Sequence, residues 1–178
     1  MRSVCADVAD VAGHVTEAPL PRPAGRVLLL DPRGAVLLLR HRLPVDSGSG
    51  SARAGEVDCV WACPGGGCEP GESTVEAAFR ELAEETGVTG VEPEPDARPV
   101  HTERRRFRYA GVAYDQTDEF YLVRTDHRPD VDGRGRTETE ADTLTEHGWF
   151  TADALAGLSE RYEPADLIEV LQRVGSAR

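Results

Sequence analysis

The chain has 178 residues, with 20 basic against 32 acidic residues and a formal net charge of −12. That length suits one domain with a sizeable core, and 39% apolar with 29% charged residues excludes a disordered tail or a fibre. The acidic excess disfavours a surface for duplex nucleic acid, and no apolar run approaches the roughly 20 residues needed to span a bilayer.

All the basic residues are Arg. The first twenty residues hold one Arg and no apolar core, which predicts no signal peptide and a cytoplasmic protein. Residues 1–24 end in Pro19-Leu-Pro-Arg-Pro23 and read as an N-terminal arm with a short helix around 4–12. Residues 25–178 read as the domain. Arg26–Asp31 and Ala35–Arg42 read as a strand hairpin around Pro32-Arg-Gly34. Residues 44–57 are Gly/Ser-rich and read as a loop. Val57–Cys63 reads as a strand that runs into Pro64-Gly-Gly-Gly67, where no regular element is expected to continue.

After a helix come a loop at 91–98, strands at about 99–113 and 119–125, and a polar loop at 126–142. Leu144–Phe150 follows as a strand, Ala152–Leu158 as a short helix and Pro164–Val174 as a terminal helix. Strands and helices mix without strict alternation, which predicts an α/β domain with a mixed sheet and helices packed on it.

The helix after the glycines carries the chemistry. Ser73 and Glu76 form a capping box, and Gly87 is the residue type preferred just past a helix end, so the helix should run over Thr74–Thr86. At about 100° per residue, Val75, Ala78, Phe79, Leu82 and Thr86 form one stripe that must face the core. Glu81, Glu84 and Glu85 fall together on another face as i, i+3 and i+4 neighbours. Their mutual repulsion costs helix stability, and only Arg80 is near to offset it. Two readings stand: an acidic solvated helix beside a Gly-rich turn, or a site for a hard divalent cation. Mg²⁺ takes oxygen ligands and shares them with phosphate, and the Pro64–Gly67 backbone could supply carbonyls or amides beside it.

The wider spacing resembles the Nudix box. It reads Gly66, Glu72 and Arg80-Glu81-Leu82-Ala83-Glu84-Glu85-Thr86-Gly87-Val88, with every fixed position matched. Nine such matches by chance are on the order of one in a billion per start site. The resemblance implies a Nudix-type α/β/α sandwich on a mixed sheet and Mg²⁺-dependent hydrolysis, with Mn²⁺ as substitute. The substrate it implies is a nucleoside diphosphate linked to another moiety. By position it implies Glu81, Glu84, Glu85 and the Gly65 carbonyl as metal ligands. It implies Arg80 as orienter of a carboxylate, Glu84 in the first place, and Glu72 as brace of the loop. Glu81 is the first candidate for the base that deprotonates the attacking water; Glu138, Glu140 and Glu146, in or near a later loop, are alternatives.

Substrate contacts are sought outside the box. Arg104-Arg-Arg-Phe-Arg108 is the most basic stretch, and on a strand Arg104 and Arg106 share one face. Arg40 and Arg42 share a face of the hairpin. Both pairs suit a phosphate through forked hydrogen bonds, and both equally suit a solvated strand. Glu103 stands where ADP-ribose hydrolases carry Pro, and Arg104 to Arg106 stand where diadenosine polyphosphate hydrolases carry Tyr. What remains is a generic MutT-like hydrolase with a small nucleotide partner; a homodimer is left open. The other readings are a Nudix-like sensor that binds a nucleotide without cleaving it, and a metal–thiol site at Cys59, Cys63 and Cys68.

Overall fold

The computed structural model describes residues 18–43, 59–93, 97–109 and 111–176. The expected helix at 4–12 and the Gly/Ser loop at 44–57 lie outside the described residues. The elements are β1 (Leu20–Leu30), β2 (Val36–Arg42), β3 (Cys59–Ala62), β4 (Gly65–Gly67), α1 (Thr74–Thr86), β5 (His101–Tyr109) and β6 (Val112–Arg124). They continue with α2 (Glu138–Thr143), β7 (Leu144–Phe150), α3 (Ala152–Ala156), β8 (Arg161–Glu163) and α4 (Leu167–Ser176).

The eight strands among the described residues join one mixed sheet. Its order is β5-β6-β1-β2-β3-β8, with β4 on β1 and β7 on β2. β1 runs parallel to β6, from Leu20 opposite Tyr114 to Leu30 opposite Arg124. β1 and β2 are joined at Leu30 and Val36, beside a turn that Asp31 ties by accepting from the Arg33 and Ala35 amides at 2.8 Å. Further along, β1 pairs with β4 at Ala24–Arg26, while β2 pairs with β3 and β7. The two strands thus part company, and the Cys63–Gly67 bend lies in the fork between them.

Strands buried on both faces need apolar residues in both phases. Val27, Leu29 and Leu37 pack under α1 with Ala78, Leu82 and Tyr121. Leu28, Leu30, Val36, Leu38 and Phe120 pack on the other face against Leu155 of α3 and Leu167, Val170, Leu171 and Val174 of α4. Helices therefore cover both faces, as an α/β/α sandwich requires. No helix among the described residues is long and apolar enough to cross a membrane.

Several expectations need correction. β1 begins at Leu20, so residues 20–24 are strand and not arm. Pro21 and Pro23 are tolerated because β4 reaches only Ala24, leaving that side of β1 an edge. The three glycines are a strand after all, since β1 supplies the pairing that their propensity lacks. The expected break between strands at 113–119 is absent: β6 is continuous, with Gln116 and Asp118 fully buried. The polar loop at 126–142 ends in α2.

Candidate active site

Helix α1 starts and stops where its caps dictate. Ser73 accepts from the Glu76 amide, and the Glu76 carboxylate accepts from the Ser73 amide at 2.9 Å. Gly87 ends the helix at φ 72°, a left-handed angle that favours glycine, with its N–H on the Ala83 carbonyl. With Ala78 and Leu82 turned into the core, the Glu81, Glu84 and Glu85 face meets the Gly65–Gly67 strand.

Arg80 is the hub of this meeting. Its Nε and Nη2 donate to both Glu72 oxygens, at 2.8 and 3.1 Å. Nη1 donates to Glu81 at 3.0 Å and to Glu84 at 2.9 Å, and Nη2 also reaches the Gly67 carbonyl at 3.2 Å. One guanidinium so ties the loop brace, two helix carboxylates and the strand together. The hydrogen bonds to Glu72, and after them those to Glu81, raise the Arg80 pKa against the opposing effect of burial, and Arg80 in turn holds Glu72 below the usual carboxylate range. Glu85 is buried, and its carboxylate accepts from the Gly65 amide at 2.9 Å. Glu81 lies flat against Gly66, where a Cβ would fall 2.3 Å from its Oε1.

Among the described residues no three Asp, Glu, His or Cys side chains converge on one point. The reason is visible: Arg80 draws Glu81 and Glu84 to itself, and Glu85 turns to the Gly65 amide. The donor set nonetheless fits a hard divalent cation, being three carboxylates of neighbouring helical positions that meet the Gly65–Gly67 backbone, all oxygen donors. Arg80 already shows that this face demands a positive charge.

The other expected residues sit elsewhere. Arg40 forks onto Glu160 at 2.5 to 3.2 Å, and Trp61 Nε1 donates to the same carboxylate at 2.7 Å. Glu146 is exposed on β7, 3.9 Å from Arg40. Arg42 is exposed at the end of β2. Arg104 and Arg106 do share a face, but it is the outer one, where both bind Asp115. The side chains of Glu138 and Glu140 lie outside the described residues. Cys63 is fully buried, and burial pushes its thiol up to about 12, which keeps it a poor metal ligand.

A second network, not foreseen, lies on the opposite face of β1 from α1. Arg26 Nε donates to Asp118 at 2.6 Å, Gln116 donates to both Asp118 oxygens, and Arg105 donates to Asp118 at 3.1 Å and bridges to Glu163. Burial opposes the Asp118 charge, but Arg26 and Arg105 outweigh it and hold its pKa low. Arg22 bonds Gln116 and lies against Gly67, where a Cβ would be 2.6 Å from its Nη2. Burial, then the neighbouring Arg26, pushes the Arg22 pKa down. The available signal was the alternation Arg22, Ala24, Arg26 set against Gln116 and Asp118, but pairing them requires knowing that β1 lies beside β6.

The fold and this loop–helix unit define a class that comparison with known proteins identifies. The NUDIX domain family matches residues 20–173, and the chain belongs to that family. Nudix hydrolases generally use divalent metal ions. The chain is similar to an RNA pyrophosphohydrolase of Campylobacter jejuni, 33% identical over 103 residues, which are 54% of this chain and 64% of that protein. The match thus spans a little under two thirds of that relative. It is also similar to Nudix hydrolase 25 of Arabidopsis thaliana, 30% identical over 129 residues, 67% of this chain and 74% of that protein. In fold it resembles the MutT protein of Methanosarcina mazei Go1, with a TM-score of 0.57 at 19% identity over 91% of this chain and 98% of that one.

Proposed function

We propose that this chain is a Mg²⁺- or Mn²⁺-dependent pyrophosphohydrolase that cleaves a nucleoside diphosphate linked to another moiety by attack of water on phosphorus. The observation that carries it is Arg80 binding Glu72, Glu81, Glu84 and the Gly67 carbonyl at once, while Glu85 holds the Gly65 amide. Loop and helix face are thereby one preorganised unit.

A bound divalent ion supplies charge neutralisation to a diphosphate that otherwise repels an anionic nucleophile. Glu81, Glu84, Glu85 and the Gly65 carbonyl are the residues to hold it. Arg80 keeps the Glu81 and Glu84 carboxylates aimed to the same side. Glu81, flush on Gly66, takes the proton from water. Arg22, with a neutral amide as its hydrogen-bond partner and lying against Gly67, is the cation we assign to meet a substrate phosphate. Loss of box carboxylates would favour a non-cleaving sensor; here all three are present.

The test is a substrate panel of nucleoside triphosphates, nucleotide sugars, dinucleoside polyphosphates and 5′-triphosphorylated RNA, the last prompted by the relative's name. Release of phosphate, pyrophosphate or nucleoside monophosphate is measured with Mg²⁺, with chelator, and with Glu84→Gln. Turnover should vanish with chelator and drop by about two orders of magnitude or more in the variant, the size expected when a charge-stabilising group is lost. Metal-dependent turnover undiminished in Glu84→Gln would overturn the assignment.

A further inference from the structure

Three successive carbonyls, those of Cys63 and Pro64 ahead of β4 and of Gly65 at its start, are tied to β1. The Pro64 carbonyl accepts from the Val27 amide at 2.9 Å. The Cys63 carbonyl accepts from Arg26 Nη1 at 2.9 Å, and the Gly65 carbonyl lies 3.4 Å from the same nitrogen. Gly65 rests directly on Arg26: its φ is +143°, and a Cβ there would stand 2.6 Å from Arg26 Cα and 2.8 Å from its Cγ. Only glycine can lie so close. Arg26 in turn cannot move freely, because it is 8% exposed and its Nε is fixed on Asp118, which is fully buried.

This cluster is a clamp and not an anion trap. Both Arg26 and Arg105 are committed to carboxylates, Asp118 and Glu163, so neither offers an uncompensated charge to a phosphate. What Arg26 has left to give is its second arm, and that arm goes to the bend. Gly65 is therefore located from two sides: Glu85 accepts from its amide, and Arg26 donates to its carbonyl.

We propose that Arg26, anchored by Asp118, is a positioning residue that holds the Cys63–Gly65 backbone against the Glu85 carboxylate and so sets the affinity of the chain for a divalent cation. The inference rests on the metal reading above. Outer partners of metal ligands commonly change affinity by about 10- to 100-fold, and a carbonyl has no other means of being oriented than its backbone.

The experiment titrates Mn²⁺ alone into nucleotide-free protein and follows free Mn²⁺ by electron paramagnetic resonance, with thermal melting as a check of folding. Arg26→Met should weaken Mn²⁺ binding by about tenfold, and Arg26→Lys should recover part of it. Arg26→Met/Asp118→Asn removes both charges of the pair and gives a second folded background in which binding must still be weak. Arg105→Met disturbs the same network without touching the bend, so it should lower the melting temperature and leave Mn²⁺ affinity unchanged. Folded Arg26 variants that bind Mn²⁺ like the parent, or an Arg105→Met that weakens binding as much as Arg26→Met, would overturn the clamp while the metal reading stands. A parent chain that takes up no Mn²⁺ overturns both.

Discussion

Two of the arginines that flank the glycine strand, Arg80 and Arg26, are built on opposite plans. Arg80 draws on Glu72, Glu81 and Glu84, all within eight residues of it, and keeps one side open to solvent. Arg26 draws on Asp118, 92 residues away, and on the Cys63 carbonyl, 37 residues away, in a setting closed to water. The difference fixes what each can do. Partly exposed ion pairs contribute about 0–1 kcal/mol, so Arg80 can organise chemistry without holding the fold together. A buried pair contributes little net when intact but costs about 3–5 kcal/mol when one partner is removed, so Arg26 and Asp118 are committed to both position and stability.

Breaking the buried plan gives the largest effect. Asp118→Ala leaves Arg26 and Arg105 facing a void and should destabilise the chain by about 3–5 kcal/mol, read from denaturant unfolding; a change within 1 kcal/mol, on the scale of a surface pair, would erase the contrast. Breaking the local plan acts on turnover instead. Arg80→Ala should lower metal-dependent activity by about 10- to 100-fold, with a melting temperature close to the parent's.

The pH response sharpens the same comparison. His41 Nε2 is buried without a hydrogen-bond partner among the described residues, and burial, then Arg26, Arg105 and Arg136, pushes its pKa down to about 3 from 6.5. Between those values the unfolded chain binds a proton that the folded chain refuses. Stability is therefore full above pH 6.5 and falls as the pH drops toward 3. His41→Leu should flatten the decline of melting temperature between pH 6.5 and 4; an unchanged slope would place the titration elsewhere. At the small end, Arg104→Ala and Arg106→Ala, on the exposed outer face of β5, should leave both melting temperature and kcat/KM at parent values.

The sequence reveals much of the local plan and none of the distant one. The α1 bounds, its capping box, its glycine stop and the Arg80–Glu84 pair are matters of neighbours along the chain, so spacing reports them; the Arg80 bonds to Glu72 and the Gly67 carbonyl need the loop's path. The run Arg104–Arg106 shows the limit. Alternation tells which arginines share a face, but not that β6 offers Asp115 outside and Asp118 inside. For the same reason the Gln116–Asp118 segment reads as a break: polar residues enter a buried strand only when distant partners satisfy them. Strand β4 is invisible because its pairing with Ala24–Arg26, and not its glycines, makes it a strand.

The parallel seam between β1 and β6 sets the order in which the molecule can be completed. Leu20 must wait for Tyr114, and Leu30 for Arg124, before the middle of the sheet exists. Loop-closure entropy of that span has to be met before any contact there gives a return. A chain still emerging from the ribosome can wind α1 and assemble the Arg80 cluster early. It leaves Arg26 a lone cation beside the Gly65 bend until the sixth strand arrives. The Arg26 anchor on Asp118 is therefore the last part of the glycine bend to be completed.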